Sequence, residues 1–143
     1  MNTIEYLSQA YRLDLRINSK IEQVASLNDL AMKATSVVTG MPHSPNKGKS
    51  AMADTIDKII DLENEINRDI DRLVDLKTEI VSVIKAVDNP EYQTLLEKRY
   101  LCFNSWSQIA EDMHYSGKWV QTLHERSIAA VTRILSERLP KSS

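Results

Sequence analysis

The sequence predicts an all-α protein: a long antiparallel helical hairpin of coiled-coil type, followed by a module of short helices. Three observations carry this. Two long segments keep an apolar 4-3 spacing, the pattern of helices that supercoil at about 3.5 residues per turn. Gly40, Pro42, Pro45 and Gly48 cluster between these segments, where a connection is expected. Beyond Pro90 the apolar spacing breaks into short runs separated by residues that favour helix starts.

The first segment, residues 2–36, places Tyr6, Ala10, Leu13, Ile17, Val24, Leu27, Ala31 and Ala34 on one seam, interrupted by Lys20. A loop is expected over 37–50, with Lys47 and Lys49 giving it a mildly basic tip. The second segment, residues 51–87, aligns Met52, Ile56, Ile59, Ile66, Ile70, Leu73, Ile80, Ile84 and Val87, with Glu63 and Lys77 on the same seam. Each helix would run about 50 Å at the α-helical rise. Ile60, Leu62, Val74, Leu76 and Val83 flank the second seam, a stripe wider than one partner helix requires. That width implies contact with the C-terminal region or self-association. Between Ala51 and Asp88 ten carboxylates face five cations. Spacings such as Asp54–Lys58 and Glu65–Arg68 fit a solvated face laced with ion pairs, or else a face that docks on a basic protein.

Composition narrows the function. With 143 residues, 42% hydrophobic and 27% charged, the chain has enough apolar content to fold. Its 18 basic and 20 acidic residues give a net charge of −2, so nucleic-acid binding would need a local basic patch rather than a global field. One cysteine, Cys102, excludes an internal disulfide framework, and it reads as a half-buried residue without chemistry. His43, His114 and His124 are isolated, so no metal is expected, and His124 is expected in solvent or on a phosphate. No phosphate loop or nucleophile–base constellation occurs, so neither an enzyme nor a cofactor is expected. The longest uncharged stretch, Ala34 to Asn46, is short and polar, and the N-terminus carries charge in its first turns. The expectation is a reduced, cytoplasmic protein with no membrane segment.

The division is expected at 88/89, with the hairpin over 1–88 and a module of short helices over 89–143. Asp88 or Asn89 caps a helix over 90–101, whose apolar set is Tyr92, Leu95, Leu96, Tyr100 and Leu101. Ser105 caps the next helix, and Gln108 stands at capping-box spacing; Trp106, Ile109, Ala110 and Met113 form its core face. His114 and Tyr115 end it, and Ser116 caps a final helix over 117–139 that turns Val120, Leu123, Ser127, Val131 and Ile134 inward and ends at Pro140. Two helices joined by a short turn, the second polar outside, make a helix-turn-helix, in which the small Ala110 permits a close crossing. From Tyr115 onward Lys118, Arg126, Arg133, Arg138 and Lys141 stand against Glu125 and Glu137, an excess of three positive charges.

Residues Leu95 to Leu135, LLEKRYLCFNSWSQIAEDMHYSGKWVQTLHERSIAAVTRIL, resemble the region-four DNA-binding module of bacterial sigma factors: a helix ending in Arg99-Tyr100, then Ser-x-x-x-Ile-Ala, then a Ser-capped recognition helix. The whole chain, including LDLRIN, GMPHSPN and DLENEINRDIDRLVDLKTEI, is similar to short phage and prophage proteins of Gram-positive bacteria that overlap the ArpU and RinA late transcriptional regulators. The resemblance implies a phage-type regulator that places its last helix in the major groove of duplex DNA. By position the DNA-contacting residues are Ser116, Gly117, Lys118, Trp119, Gln121, Thr122, Glu125 and Arg126, with Arg99 approaching the backbone from the preceding helix. The sigma module is arginine-rich where this chain has Gly117, Trp119 and Gln121, which argues against the same promoter sequence. Trp119 would wedge against sugar or base edges, or cover the hairpin. The partners this implies are double-stranded DNA, further copies of the chain as a homo-oligomer, and RNA polymerase. Two alternatives use the same helices for assembly: a structural or adaptor protein, and the DNA-recognition subunit of a phage packaging machine.

Overall fold

A computed structural model describes residues 1–40 and 45–138, with side chains over 1–34 and 51–138. The helices are α1 (Thr3–Gly40), α2 (Pro45–Lys85), α3 (Pro90–Leu96), α4 (Trp106–Met113) and α5 (Gly117–Arg138), with α3 running on into a π-helical turn at Glu97–Leu101. No strand occurs among the described residues, so the chain is all-α as its spacing predicts.

The connection between the long helices is shorter than the expected 37–50. α1 continues to Gly40 and α2 begins at Pro45, because Val37, Val38 and Thr39 offer no breaker and a proline suits the first helical turn, where its missing N–H costs nothing. His43, the side chains of Lys47 and Lys49, Pro140 and Lys141 lie outside the described residues.

The chain packs as two compact units, Met1–Leu13 with Leu73–Ser143, and Asp14–Arg72. The division expected at 88/89 falls within the first.

In the unit Asp14–Arg72, α1 turns Ile17, Lys20, Val24, Leu27, Ala31 and Ala34 inward, residue for residue the expected seam. α2 is rotated from its expected seam. Thr55, Ile59, Leu62, Ile66 and Asp69 face inward, while Ile56 (44% exposed), Glu63 and Ile70 (41%) face solvent. The reason is electrostatic. Lys20 sits on the α1 seam and its ammonium meets the Asp69 carboxylate at 2.6 Å, with 17% and 19% of the two side chains exposed. Bringing Asp69 in turns the adjacent row, Ile56, Glu63 and Ile70, out. The hydrogen bond from Lys20 holds the Asp69 carboxyl below its usual range. The exposed pairs expected at Asp54–Lys58 and Glu65–Arg68 are not made; the ion pairs among the described residues are Lys20–Asp69 and Lys98–Asp112. Exposed pairs gain little over hydration, so spacing alone does not close them.

The other unit has a continuous core. Leu7 and Ala10 of α1 pack with Ile80, Val83, Ile84 and Val87, with Leu96 and Tyr100, and with Val131 of α5. Tyr6 donates its hydroxyl hydrogen bond to Glu79 at 3.0 Å, and burial followed by that acceptor pushes its pKa up to about 12. Asn89 is the cap of α3, accepting from the Glu91 and Tyr92 N–H groups. The π turn closes with the Cys102 N–H donating to the Glu97 carbonyl, and Phe103 comes next at φ 59°, a left-handed conformation costly for a bulky side chain. Its ring packs on Tyr11 at 5.4 Å and under the Lys77 ammonium at 4.7 Å, contacts that hold it there. Lys77 therefore covers an aromatic ring rather than interrupting a helix–helix seam. Cys102, expected half-buried, is exposed at the end of the turn.

Candidate nucleic-acid interface

α4, its turn and α5 are built from a small second core. Leu95, Ile109, Val120 and Leu123 are fully or almost fully buried, with Ala110, Met113 and Tyr115 packed against them. The Ser105 hydroxyl accepts from the Gln108 N–H at 3.2 Å and starts α4. The expected reciprocal half of that capping box is not made, because the Gln108 amide donates to Asp112 at 2.8 Å instead. α4 ends at His114 in the left-handed conformation (φ 59°), with the His114 N–H donating to the Glu111 carbonyl and the Tyr115 N–H to that of Ala110. Ser116 then caps α5, accepting from the Trp119 N–H at 3.1 Å. Tyr115 donates to the Glu91 carboxylate, which ties the turn to α3 and raises the tyrosine pKa.

Along α5 the buried row is Val120, Leu123, Ser127 and Val131, with Ile134 half-buried, as expected. At 100° per residue, Gly117, Gln121, Glu125, Lys118, Thr122, Arg126 and Trp119 succeed one another around the opposite side. All are exposed except Thr122, which is half-buried and donates its hydroxyl to the Lys118 carbonyl at 3.2 Å. The Ser116 hydroxyl is committed to the cap through one acceptor site, which leaves its O–H donor and its second lone pair. A Cβ built on Gly117 would meet nothing within 4 Å, so packing does not demand a glycine there. Trp119, 38% exposed, carries the Arg126 guanidinium over its ring at 5.4 Å and the edge of Tyr115 at 6.4 Å. It covers a cation of its own helix. Arg133 is exposed, whereas Arg138 donates to the Ser82 hydroxyl at 3.0 Å and belongs to the packing with α2.

The structure adds a cluster that sequence reasoning assigned differently. Trp106, expected in the core, is 36% exposed, and His124, expected in solvent, is half-buried. His124 Nε2 shares a 2.6 Å hydrogen bond with the Tyr100 hydroxyl, and its ring meets the Trp106 ring at 4.6 Å. The Arg99 guanidinium lies over the Trp106 ring at 4.4 Å and donates to the Asn104 carbonyl at 3.0 Å. Burial, then the Arg99 charge, lowers the His124 pKa to about 4. The i,i+4 relation of Val120 and His124 was the available signal, since it puts His124 beside the buried row. A groove of about 740 Å³ runs past this cluster between α4 and α5, lined by Trp106, Ser107, Ala110, Gly117, Gln121 and His124 among others. Ser107, Ala110 and Gly117 leave it open, and Gln121 reaches it from the exposed arc.

Among the described residues no group of three or more histidines, cysteines and carboxylates could hold a metal ion. No helix among them is long and apolar enough to cross a membrane. Comparison with protein-family models, with curated proteins and with solved structures gave no match.

Proposed function

We propose that this chain is a phage-type transcriptional regulator that binds duplex DNA by laying the exposed arc of α5 in the major groove. The observation that carries the reading is this arc: seven consecutive positions around a capped helix, six of them polar or aromatic and one a glycine, set opposite the buried row and preceded by a tight left-handed turn. The sequence resemblance to sigma region four and to the ArpU and RinA type of regulator points the same way. In this reading Gln121 pairs with an adenine edge, Thr122 meets a thymine methyl, and Lys118 reaches guanine or a phosphate. Arg126, stacked on Trp119, is held for a backbone phosphate. A single such module contacts few base pairs, so the paired long helices supply the second contact, through self-association or RNA polymerase.

Selection of bound duplexes from a random pool tests this reading. The expected result is one enriched motif whose affinity falls steeply with salt, as phosphate contacts require. Absence of enrichment by the folded protein would overturn it.

A further inference from the structure

The unit Asp14–Arg72 has two flanks, and they differ. On one, a groove is lined by Gln23, Ser26, Leu27, Lys58, Asp61 and Leu62, so charged and polar side chains stand there beside two leucines. Helical spacing then puts Ile21 and Met32 of α1 with Ile56, Ile60 and Ile70 of α2 on the other flank. All five are exposed, at 48%, 72%, 44%, 49% and 41%. Along α2 this flank reads Ile56, Ile60, Glu63, Asn67, Ile70 at 4-3 spacing, a second seam beside the one used against α1. It contains one carboxylate, Glu63, and one amide, Asn67.

We infer that this flank is where a second copy of the chain docks, with the two α2 helices antiparallel about a two-fold axis near residue 65. The seam is its own complement in that register. Ile60 falls opposite Ile70 of the second copy, Glu63 opposite Asn67, and Ile56 opposite position 74, a valine. A two-fold interface requires this reciprocity, each contact occurring twice. The lone carboxylate of the face meets an amide donor instead of a second carboxylate. Sliding the partner by one heptad sets Ile60 against Glu63 or Ile70 against Asn67, burying a polar group on an isoleucine, so the polar pair fixes the register. The inference makes definite the self-association named under the proposed function, and it does not depend on DNA being the ligand.

Single cysteines at Ile60→Cys and Ile70→Cys, each in a Cys102→Ser chain, test it by oxidative cross-linking, with the mass of the parent measured by sedimentation. Both positions are exposed, and circular dichroism checks that the helices persist. The expected result is a dimeric parent, no covalent dimer from either variant alone, and a covalent heterodimer when the two are mixed. Cross-linking of each variant with itself would mean parallel pairing, and a monomeric parent would mean no pairing; either overturns the inference. Ile60→Lys is expected to give monomers of unchanged helicity, and a dimer that survives it would also contradict the assignment. Because no DNA is present, failure here leaves the DNA-binding reading to its own test.

Discussion

The two compact units of this chain solve the same problem with different means. In Met1–Leu13 with Leu73–Ser143, segments from α1, α2, α3 and α5 converge, so Leu7, Ile80, Leu96 and Val131 are buried from several sides. In Asp14–Arg72 only stretches of α1 and α2 pack together, and its buried apolar residues are Ile17, Ile59 and Ile66. A helix with one neighbour has one stripe to hide, and its rotation is set by a few contacts. Here Lys20 and Asp69 decide it. A helix with several neighbours hides most of its surface, and small changes in pattern matter less.

Three predictions sharpen this contrast. The largest effect is expected in the converged unit: Ile109→Ala empties a site with no exposure and should cost about 2–5 kcal/mol in denaturant unfolding. An effect below about 1 kcal/mol would mean that the second core is not a tightly packed one. Next comes the two-helix unit. Lys20→Ala leaves Asp69 facing the seam without its cation and should cost about 1–2 kcal/mol, while Lys20→Leu with Asp69→Leu should recover most of it. A double variant as weak as the single one would show that the pair does not set the rotation of α2.

The smallest effect is a pH dependence. His124 has its pKa lowered from 6.5 to about 4, so between those values the unfolded chain binds the proton more readily than the folded one. This contribution to stability is complete above pH 6.5, declines as pH falls toward 4, and is flat below. Thermal melting from about pH 7 to pH 4 should show that decline, and His124→Gln should lack it. The carboxyl of Asp69 is shifted down instead, so its contribution is lost only at more acidic pH, outside this window.

Legibility in the sequence tracks the same contrast. The α1 seam was readable from Ala10 onward because its apolar positions there admit one rotation, whereas at its start Leu7 is fully buried beside the expected Tyr6, which is half-buried. In α2 the isoleucines support two adjacent rows, and the most apolar choice took Ile56 and Ile70 inward. The cue was Lys20: a cation on one seam requires a carboxylate on the facing one, and of the α2 acids Asp69 satisfies it. The starts of α3, α4 and α5 were legible because Asn89, Ser105 and Ser116 act through local hydrogen bonds. The π turn at Glu97–Leu101 was not, since no residue type encodes it, and it redirects the chain leading into α4, with Trp106 exposed and His124 drawn beneath it. The outward arc of α5 was legible because it is the complement of a clear buried row.

The most direct test of the DNA-binding account compares the parent protein with Gln121→Ala on the selected duplex and on its single base-pair variants. Both chains must first show the same melting temperature. The account predicts that Gln121→Ala loses about 1–3 kcal/mol of binding and no longer discriminates at one base pair, with the other positions read as before. Equal affinity and an unchanged preference at every position would contradict it, and would remove α5 from the reading of sequence.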